Sequence, residues 1–276
     1  MIRSVLTPGQ RAHAERNLPR YTSYPTALAF DPRQASEAHD WIAGTTPEDR
    51  LSVYVHVPFC RRLCWYCGCH TSIAHTYERV GSFFETLTRE IDLIAGRLGR
   101  HDGLAHLHFG GGSPNALSPE DFAALVTQVK TAFQPRPDVE IAAELDPGML
   151  SEAFVDAAGA VGVNRVSLGV QTFDPAVQAL VNRIQPYDHV ARAVARLRAA
   201  GVEGLNFDLM YGLPGQTPEN VHESARLAVQ LQPDRVAVFG YAHVPWMKKH
   251  QTMIRGADLA DLDGRWAQAE AADAAL

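Results

Sequence analysis

The chain carries, at residues 52–69, the stretch Ser52-Val-Tyr-Val-His-Val57-Pro-Phe-Cys60-Arg-Arg-Leu-Cys64-Trp-Tyr-Cys67-Gly-Cys69, and this stretch decides the expected fold. Its first six residues place valine at every second position, a pattern that predicts a β-strand. Tyr54 and His56 then lie on one face of the strand and the valines on the other. A loop with all four cysteines of the chain follows directly. We therefore expect a strand that leads into a chemically reactive loop.

After this loop, sequence patterns typical of strands alternate with patterns typical of helices. The further predicted strands are Leu104–Phe109, Val139–Leu145, Arg165–Val170, Gly204–Met210 and Arg235–Tyr241. The predicted helices are Val80–Leu98, Ser118–Phe133, Glu152–Ala160, helices within Pro175–Ala200, and Thr217–Leu231. A capping residue followed by proline, as at Ser118-Pro119, Asp174-Pro175 and Thr217-Pro218, is typical of a helix start. The alternation predicts an α/β fold with a parallel sheet, either doubly wound or barrel-like.

In both forms of parallel sheet, catalytic and ligand-binding residues lie at the carboxyl ends of the strands. The polar and glycine-rich residues of this chain follow that rule. They are the cysteine loop after the first strand, Gly110–Ser113 after the second, Glu144 at the end of the third, Gln171 after the fourth, Asp208 near the end of the fifth, and Ala242 and His243 after the sixth. We expect these residues to meet at one edge of the sheet.

Three regions are predicted. Residues 1–50 form an extended N-terminal arm, with the run Pro19–Thr26 and at most a short helix near Gln34–Ile42. Residues 51–245 form the α/β domain. Residues 246–276 begin a C-terminal helical region, with a helix over Leu259–Leu276, and we expect the chain to be cut off within it, because no helix-stop residue follows.

Composition narrows the class of protein. The formal net charge of −6 argues against nucleic acid or an anionic membrane as the main partner. No apolar run approaches the length of a membrane span, and the N-terminus does not resemble a signal peptide. The expected location is the cytoplasm, where crowded cysteines indicate metal or cluster ligation rather than disulfides.

The cysteine spacing favours an iron–sulfur cluster. Cys60, Cys64 and Cys67 form the pattern C-x₃-C-x₂-C, and three thiolates on one short loop can hold three irons of a [4Fe–4S] cluster. The fourth iron would then be free to take a small molecule, as the open position of catalytic zinc does. The alternative is structural zinc, with Cys69 or His70 as fourth ligand. Zinc sites usually combine two spaced pairs, and the chain has no second pair.

Several motifs carry a resemblance to a known family. The cysteine loop, with Tyr66 before its third cysteine, and Gly110-Gly-Gly-Ser-Pro114 resemble the radical S-adenosylmethionine (SAM) superfamily. Further motifs resemble the oxygen-independent coproporphyrinogen III oxidases within it. These are Pro19–Thr26, Tyr54-Val-His-Val-Pro-Phe-Cys60, Cys69, Glu144-Leu-Asp146-Pro, Ser167-Leu-Gly-Val-Gln171, Val181-Asn-Arg183, Asp208-Leu-Met-Tyr-Gly-Leu-Pro214 and Tyr241-Ala-His243.

The resemblance implies a fold and a reaction. The fold would be a partial (β/α)₆ barrel-like parallel sheet. The reaction would be cleavage of S-adenosylmethionine by the reduced cluster, after which the 5′-deoxyadenosyl radical takes a hydrogen atom from a propionate of coproporphyrinogen III. Loss of CO₂ and an electron leaves a vinyl group, and two such steps give protoporphyrinogen IX in porphyrin and haem biosynthesis.

The resemblance also implies site residues. Cys60, Cys64 and Cys67 would hold the cluster, and Cys69 is left out because three ligands suffice. The residues implied for the S-adenosylmethionine at the cluster are Tyr54, Tyr66, Gly111 and Glu144. Those implied for a second molecule are Gly112, Ser113, Gln171, Arg183, Asp208 and Ala242. Arg20 is a candidate for the substrate carboxylates.

The implied partners are coproporphyrinogen III and an electron donor such as flavodoxin or ferredoxin, and we expect a monomer without nucleic-acid or membrane partners. Two departures from the family stand out: Ser113 replaces the more usual threonine, and the chain is shorter. The alternatives are a haem chaperone of the same superfamily without oxidase activity, which usually lacks Cys69 and the arm, and a zinc-stabilised binding module.

Overall fold

Strands and helices alternate along the chain, as the sequence predicts. The structure is a computed structural model that describes residues 6–14, 16, 26, 29–31 and 37–276. Its strands are β1 (Leu51–Val57), β2 (Phe59–Cys60), β3 (Ser72–Ile73), β4 (Leu104–Gly111), β5 (Pro135–Leu145), β6 (Arg165–Gln171), β7 (Gly204–Tyr211) and β8 (Arg235–Gly240). Its α-helices are α1 (Pro8–Ala14), α2 (Glu37–Ala43), α3 (Tyr77–Ala95), α4 (Pro119–Phe133), α5 (Glu152–Ala160), α6 (Pro175–Leu180), α7 (Tyr187–Ala199), α8 (Pro218–Gln230) and α9 (Leu262–Asp273).

The strand order decides between the two predicted sheets. The main sheet has the order β1-β4-β5-β6-β7-β8, and every neighbouring pair is parallel. Each strand lies beside the one before it in this sheet, whereas a doubly wound sheet reverses direction at a switch point. The barrel-like arrangement is therefore confirmed. Within the described residues β8 does not pair with β1, so the six strands form an open, partial barrel.

The helix starts follow local capping chemistry. The Ser118 hydroxyl accepts from the backbone N–H of Asp121 at 3.1 Å, ahead of Pro119. The Asp174 and Thr217 side chains cap α6 and α8 in the same way, each before a proline. Such caps satisfy backbone donors that the first helical turn leaves free. All three predicted cap-and-proline helix starts are confirmed.

The period of two along the strands separates core from cavity. In β6, Val166, Leu168 and Val170 are fully buried in the hydrophobic core, while Ser167 and Gln171 are only half-buried. The buried strand residues belong to one core cluster with residues of the covering helices α3, α4, α5, α7 and α8. The opposite face of the sheet consequently carries the polar side chains, and it forms the inner wall of the partial barrel.

Helices lie near both ends of the chain. The predicted helix near Gln34–Ile42 is α2, while the run Pro19–Thr26 and Arg20 lie outside the described residues except for Thr26. The predicted helix over Leu259–Leu276 is shorter, because α9 begins after its Asp261 cap and ends at Asp273. In the part of the chain that the structure describes, no helix combines the length and apolarity needed to cross a bilayer. The three predicted regions remain a prediction.

Candidate cofactor site at the carboxyl edge of the sheet

One cavity of about 180 Å³ opens at the carboxyl ends of the strands, beside the cysteine loop. Eleven of the thirteen predicted site residues line it: Cys60, Cys64, Cys67, Tyr66, Gly111, Gly112, Ser113, Glu144, Gln171, Arg183 and Asp208. The other two do not. Tyr54 stands on β1, 56% exposed, and Ala242 follows β8 in a half-buried position. The fold thus brings residues from five strand ends and one distant turn around a single space.

The cysteine loop presents its thiols to this cavity. All four cysteines are free and line the cavity wall. The loop is closed at its base because β2 pairs with β3 in parallel, joining Cys60 to Ile73 across the loop. Among the described residues, no three His, Cys, Asp or Glu groups are placed to share one metal ion. The thiols line a common cavity, as the three cysteine ligands of one cluster must.

Hydrogen bonds to sulfur set the electrostatics of the thiols. Thr71 Oγ1 donates to Cys60 Sγ at 3.2 Å, and Arg183 Nη1 donates to Cys64 Sγ at 3.4 Å. Burial raises the pKa of Cys60, and the Thr71 bond offsets part of that rise. The Cys67 thiol bonds to Cys69, which raises the pKa of Cys67 and lowers the pKa of Cys69 to about 6. Donors of this kind stabilise thiolates and tune the potential of a bound cluster. The donor set therefore fits a [4Fe–4S] cluster.

Glycines at the end of β4 and directly after it allow three segments to approach closely. Gly111 has φ of +108°, and a Cβ added there would lie 2.7 Å from Cε1 of His56. A Cβ on Gly112 would lie 2.5 Å from the carbonyl oxygen of Phe59. Only glycine combines this conformation with this proximity. The glycine turn therefore brings the end of β4 against β1 and the cysteine loop.

Replacement of Gly111 by alanine is expected to lower the free energy of unfolding by about 2–4 kcal/mol, since a left-handed conformation and overpacking act together. Gly201 is a matched control, because its φ is +91° and nothing lies within 4 Å of an added Cβ. Gly201→Ala should cost only about 1 kcal/mol. Denaturant unfolding of the reduced proteins measures both, and equal losses would show that the contact with His56 is unimportant.

Glu144 stands at the cavity wall with two aromatic neighbours. Its Oε1 lies 3.0 Å from Nε2 of His108, whose ring stacks on Tyr54 with centroids 5.7 Å apart. Tyr54 and His108 are register partners on β1 and β4. A Cβ on Gly110 would meet both Glu144 Oε2 at 2.9 Å and the Tyr54 hydroxyl at 3.0 Å, so the two oxygens flank that glycine. Tyr54 is therefore beside Glu144, although it lies outside the cavity wall.

Arg183 is buried, and its guanidinium already has partners. It is 8% exposed, pairs with Asp146 at 3.2 Å, and donates twice to the Gly169 carbonyl, from Nε at 3.2 Å and Nη2 at 2.6 Å. Burial lowers the pKa of Arg183, but Tyr66, Asp146 and Cys64 together raise it above the ordinary value. The guanidinium is therefore a permanent positive charge behind the thiol of Cys64.

Three further predicted residues lie on β6, on β7 and just after β4. Asp208 accepts from Ser167 Oγ at 3.0 Å and from Asn206 Nδ2 at 2.8 Å, and burial raises its pKa despite both bonds. Gln171 ends β6 in a left-handed conformation, with φ of +66°, where the register with β7 shifts. Ser113 donates to Asn115 and accepts from the backbone N–H of Asp146 at 3.2 Å, so its hydroxyl has partners within the chain.

The structure adds cavity residues that the sequence prediction omits. Thr71, Asp146, Ser167 and Arg62 line the cavity, and the buried Nε of Arg62 has no hydrogen-bond partner among the described residues. The period of two along an extended strand could have found Asp146 and Ser167, which lie two residues after Glu144 and four residues before Gln171. Nothing in the sequence distinguishes Thr71 or Arg62.

Comparison with known proteins agrees with this site. The family described as the Radical SAM superfamily matches residues 54–228. The chain is 48% identical over 259 residues to the oxygen-independent coproporphyrinogen III oxidase of Bradyrhizobium diazoefficiens, which covers 94% of this chain and 58% of the relative. It is 39% identical over 245 residues to the Escherichia coli protein of the same name, covering 87% and 52%.

Structural comparison gives the same result. The solved structure of coproporphyrinogen III oxidase (HemN) from Escherichia coli, described as a radical SAM enzyme, matches with a TM-score of 0.87 and 37% identity. The match covers 92% of this chain and 58% of that one. The chain thus spans about half the length of the curated relatives it matches. The superfamily implies a [4Fe–4S] cluster and S-adenosylmethionine, and the thiols at this cavity suit such a cluster. The family match, the strand order and the cysteine loop together show that the chain belongs to the radical SAM superfamily.

Proposed function

We propose that this chain supplies the radical-generating part of an oxygen-independent coproporphyrinogen III oxidase. One observation supports this proposal most strongly. Eleven of the predicted site residues line one cavity, in a chain 48% identical to a relative of that name. Each of two propionates would lose a hydrogen atom to the 5′-deoxyadenosyl radical, then CO₂, and one electron to an external acceptor, to become a vinyl group. The bound cluster, when reduced, supplies the electron that cleaves S-adenosylmethionine. The residues of the chain bind, orient and shield the reactants.

We propose different roles for different residues of the cavity. Cys60, Cys64 and Cys67 are proposed as the cluster ligands, since they share the loop and its wall. The residues proposed for the first S-adenosylmethionine are Tyr54, Tyr66, Gly111 and Glu144. Glu144 Oε2 flanks Gly110, where a carboxylate can accept from an ammonium or hydroxyl group.

A second S-adenosylmethionine is proposed on Gly112, Ser113, Gln171, Arg183, Asp208 and Ala242. The position of Asp208, held at the wall by two donors, supports this assignment. Arg183 and Ser113 support it less directly, because their polar atoms already bond to Asp146, Gly169 and Asn115. For these two, we propose that they shape the wall as well as bind the ligand.

Further proposals concern the setting of the reaction. We propose a cytoplasmic monomer that receives electrons from a flavodoxin or ferredoxin. The clustered free cysteines support a reducing compartment. The division into an arm (1–50), a radical SAM domain (51–245) and the start of a helical region (246–276) is likewise proposed.

A single anaerobic assay tests the proposed function. The protein, expressed from its complete gene and reconstituted with iron and sulfide, is incubated with S-adenosylmethionine, a strong reductant and coproporphyrinogen III. We expect 5′-deoxyadenosine and a divinyl product, detected by chromatography after oxidation to the porphyrin. A reconstituted protein that forms 5′-deoxyadenosine but no vinyl groups would contradict the oxidase and favour the haem chaperone. A colourless zinc protein would contradict both.

A further inference from the structure

Three side chains from one short segment donate hydrogen bonds to backbone carbonyl oxygens of the cysteine loop. The segment is residues 248–251, which begins eight residues after the end of β8. The bonds are Gln251 Nε2 to Tyr66 O at 2.9 Å, His250 Nε2 to Cys67 O at 2.7 Å and Lys248 Nζ to Cys69 O at 2.9 Å. Partners so far apart in sequence meet only through the tertiary fold. The second half of the cysteine loop is thus held from outside the cavity.

Gln251 is the most deeply placed of the three. Its side chain is 1% exposed, and both ends of its amide are used. Nε2 donates to the Tyr66 carbonyl, while Oε1 accepts from the backbone N–H of Val244 at 2.6 Å. Removing this amide would leave buried backbone groups without partners, which is more costly than losing an exposed bond. One buried amide therefore joins the segment after β8 to the peptide that precedes Cys67.

The first half of the loop is held by a different part of the chain. Trp65 N donates to the Val181 carbonyl at 3.0 Å, and Asn182 Nδ2 donates to the Leu63 carbonyl at 2.8 Å. These bonds fix the backbone around Cys64 without using the 248–251 segment. The two anchors consequently act on different cysteines, and their effects can be separated by experiment.

We propose that Gln251 is a positioning residue that, together with Lys248 and His250, fixes the orientation of the Cys67 thiol toward the cavity. The peptides on both sides of Cys67 have their carbonyls bonded by Gln251 and His250, so these peptides cannot rotate freely and the Cα–Cβ bond of Cys67 keeps one direction. A thiol held in this way loses less conformational freedom when it binds iron. The inference rests on the proposed role of Cys67 as a cluster ligand.

The test compares two buried glutamines. Gln251→Met keeps the volume of the side chain and removes both of its bonds. Gln268→Met is the matched control, because Gln268 is also 1% exposed and also uses both amide ends, accepting from Gly212 N at 2.9 Å and donating to Gln216 O at 2.7 Å. Neither bond of Gln268 reaches the cysteine loop. Both variants should lose similar thermal stability.

The readouts are thiol labelling and iron release. In the reduced protein without iron, Gln251→Met should speed alkylation of Cys67, measured by mass spectrometry of each cysteine peptide, about tenfold relative to Cys64. In the reconstituted protein, it should speed loss of iron to a chelator by a similar factor. Gln268→Met should change neither rate. Equal rates in the two glutamine variants, or equal acceleration at Cys64 and Cys67, would overturn the proposal.

A second pair of variants decides the matter if Gln251→Met does not fold. Lys248→Met removes the bond to Cys69 O from the rim of the site, and Lys249→Met removes the same charge from an exposed neighbour. Only Lys248→Met should raise the labelling rate of Cys67 and Cys69, about twofold to threefold; no difference between the lysine variants would count against the proposal. If the wild-type protein takes up no iron, the proposed function is wrong. The labelling rates still test whether the 248–251 segment orients the Cys67 thiol.

Discussion

Loss of the bound cluster is the expected result of replacing Cys64 by alanine. Cys64 is the buried thiol of the loop, and its sulfur accepts a hydrogen bond from Arg183 at 3.4 Å. Cys69 lies two residues beyond Cys67 and does not restore the C-x₃-C-x₂-C spacing when Cys64 is lost, so an iron would lose its attachment. We expect iron and sulfide contents below about a tenth of the wild-type values after anaerobic reconstitution, with loss of the brown colour.

Ser224→Ala is the matched control for this variant. The Ser224 hydroxyl is also buried, and it bonds to the Thr172 hydroxyl and to the backbone N–H of Phe173 on the outer side of the sheet. Its loss should cost stability but leave the iron content unchanged, because α8 does not contribute to the cavity. A Cys64→Ala protein with a full cluster would show that the loop is not the ligand set.

Weaker binding of S-adenosylmethionine is the second large effect, expected for Glu144→Gln. The carboxylate lies on the cavity wall, with one oxygen at His108 and the other beside Gly110. Hydrogen bonds to a charged group contribute about 1.5–3 kcal/mol, so the dissociation constant should rise by about 10-fold to 100-fold. Titration calorimetry with the reconstituted protein measures this change.

Glu140→Gln controls for the loss of a carboxylate from the same strand. Glu140 precedes Glu144 by four residues, or two strand periods, on β5. It is similarly exposed and pairs with Arg165 at 2.9 Å away from the cavity. Its replacement should leave the affinity for S-adenosylmethionine within about twofold. Equal loss of affinity in the two variants would indicate a general effect of charge, and unchanged affinity in Glu144→Gln would remove this residue from the proposed site.

Much of the fold could be predicted because it depends on local chemistry. The valines of β1, the buried run Val166, Leu168 and Val170, and the caps at Ser118, Asp174 and Thr217 each act within a few residues. The alternation of strand and helix then requires a parallel sheet. It does not determine the strand order, because both closures bury the same side chains.

The candidate site could be predicted in part for the same reason. Polar residues at strand ends must meet at one edge of a parallel sheet, and Glu144, Gln171 and Asp208 do lie on one cavity. The partners of each group could not be predicted in this way. The bonds of Arg183 to Asp146 and Gly169 depend on how a turn folds back over the strands. The ion pair and hydrogen bonds of Arg183 could therefore be identified only from the tertiary structure.

Residues 52–69 show which properties the sequence determines and which depend on the tertiary structure. Residue types and spacing alone determined a strand followed by three thiols suited to a cluster, because ligation depends on chemistry within one loop. Only the tertiary structure decided how that loop is held. Asn182 and Gln251 reach it from separate segments, and no local pattern encodes such contacts. The physical reason is that packing, not sequence separation, sets which donors meet each buried carbonyl and sulfur atom.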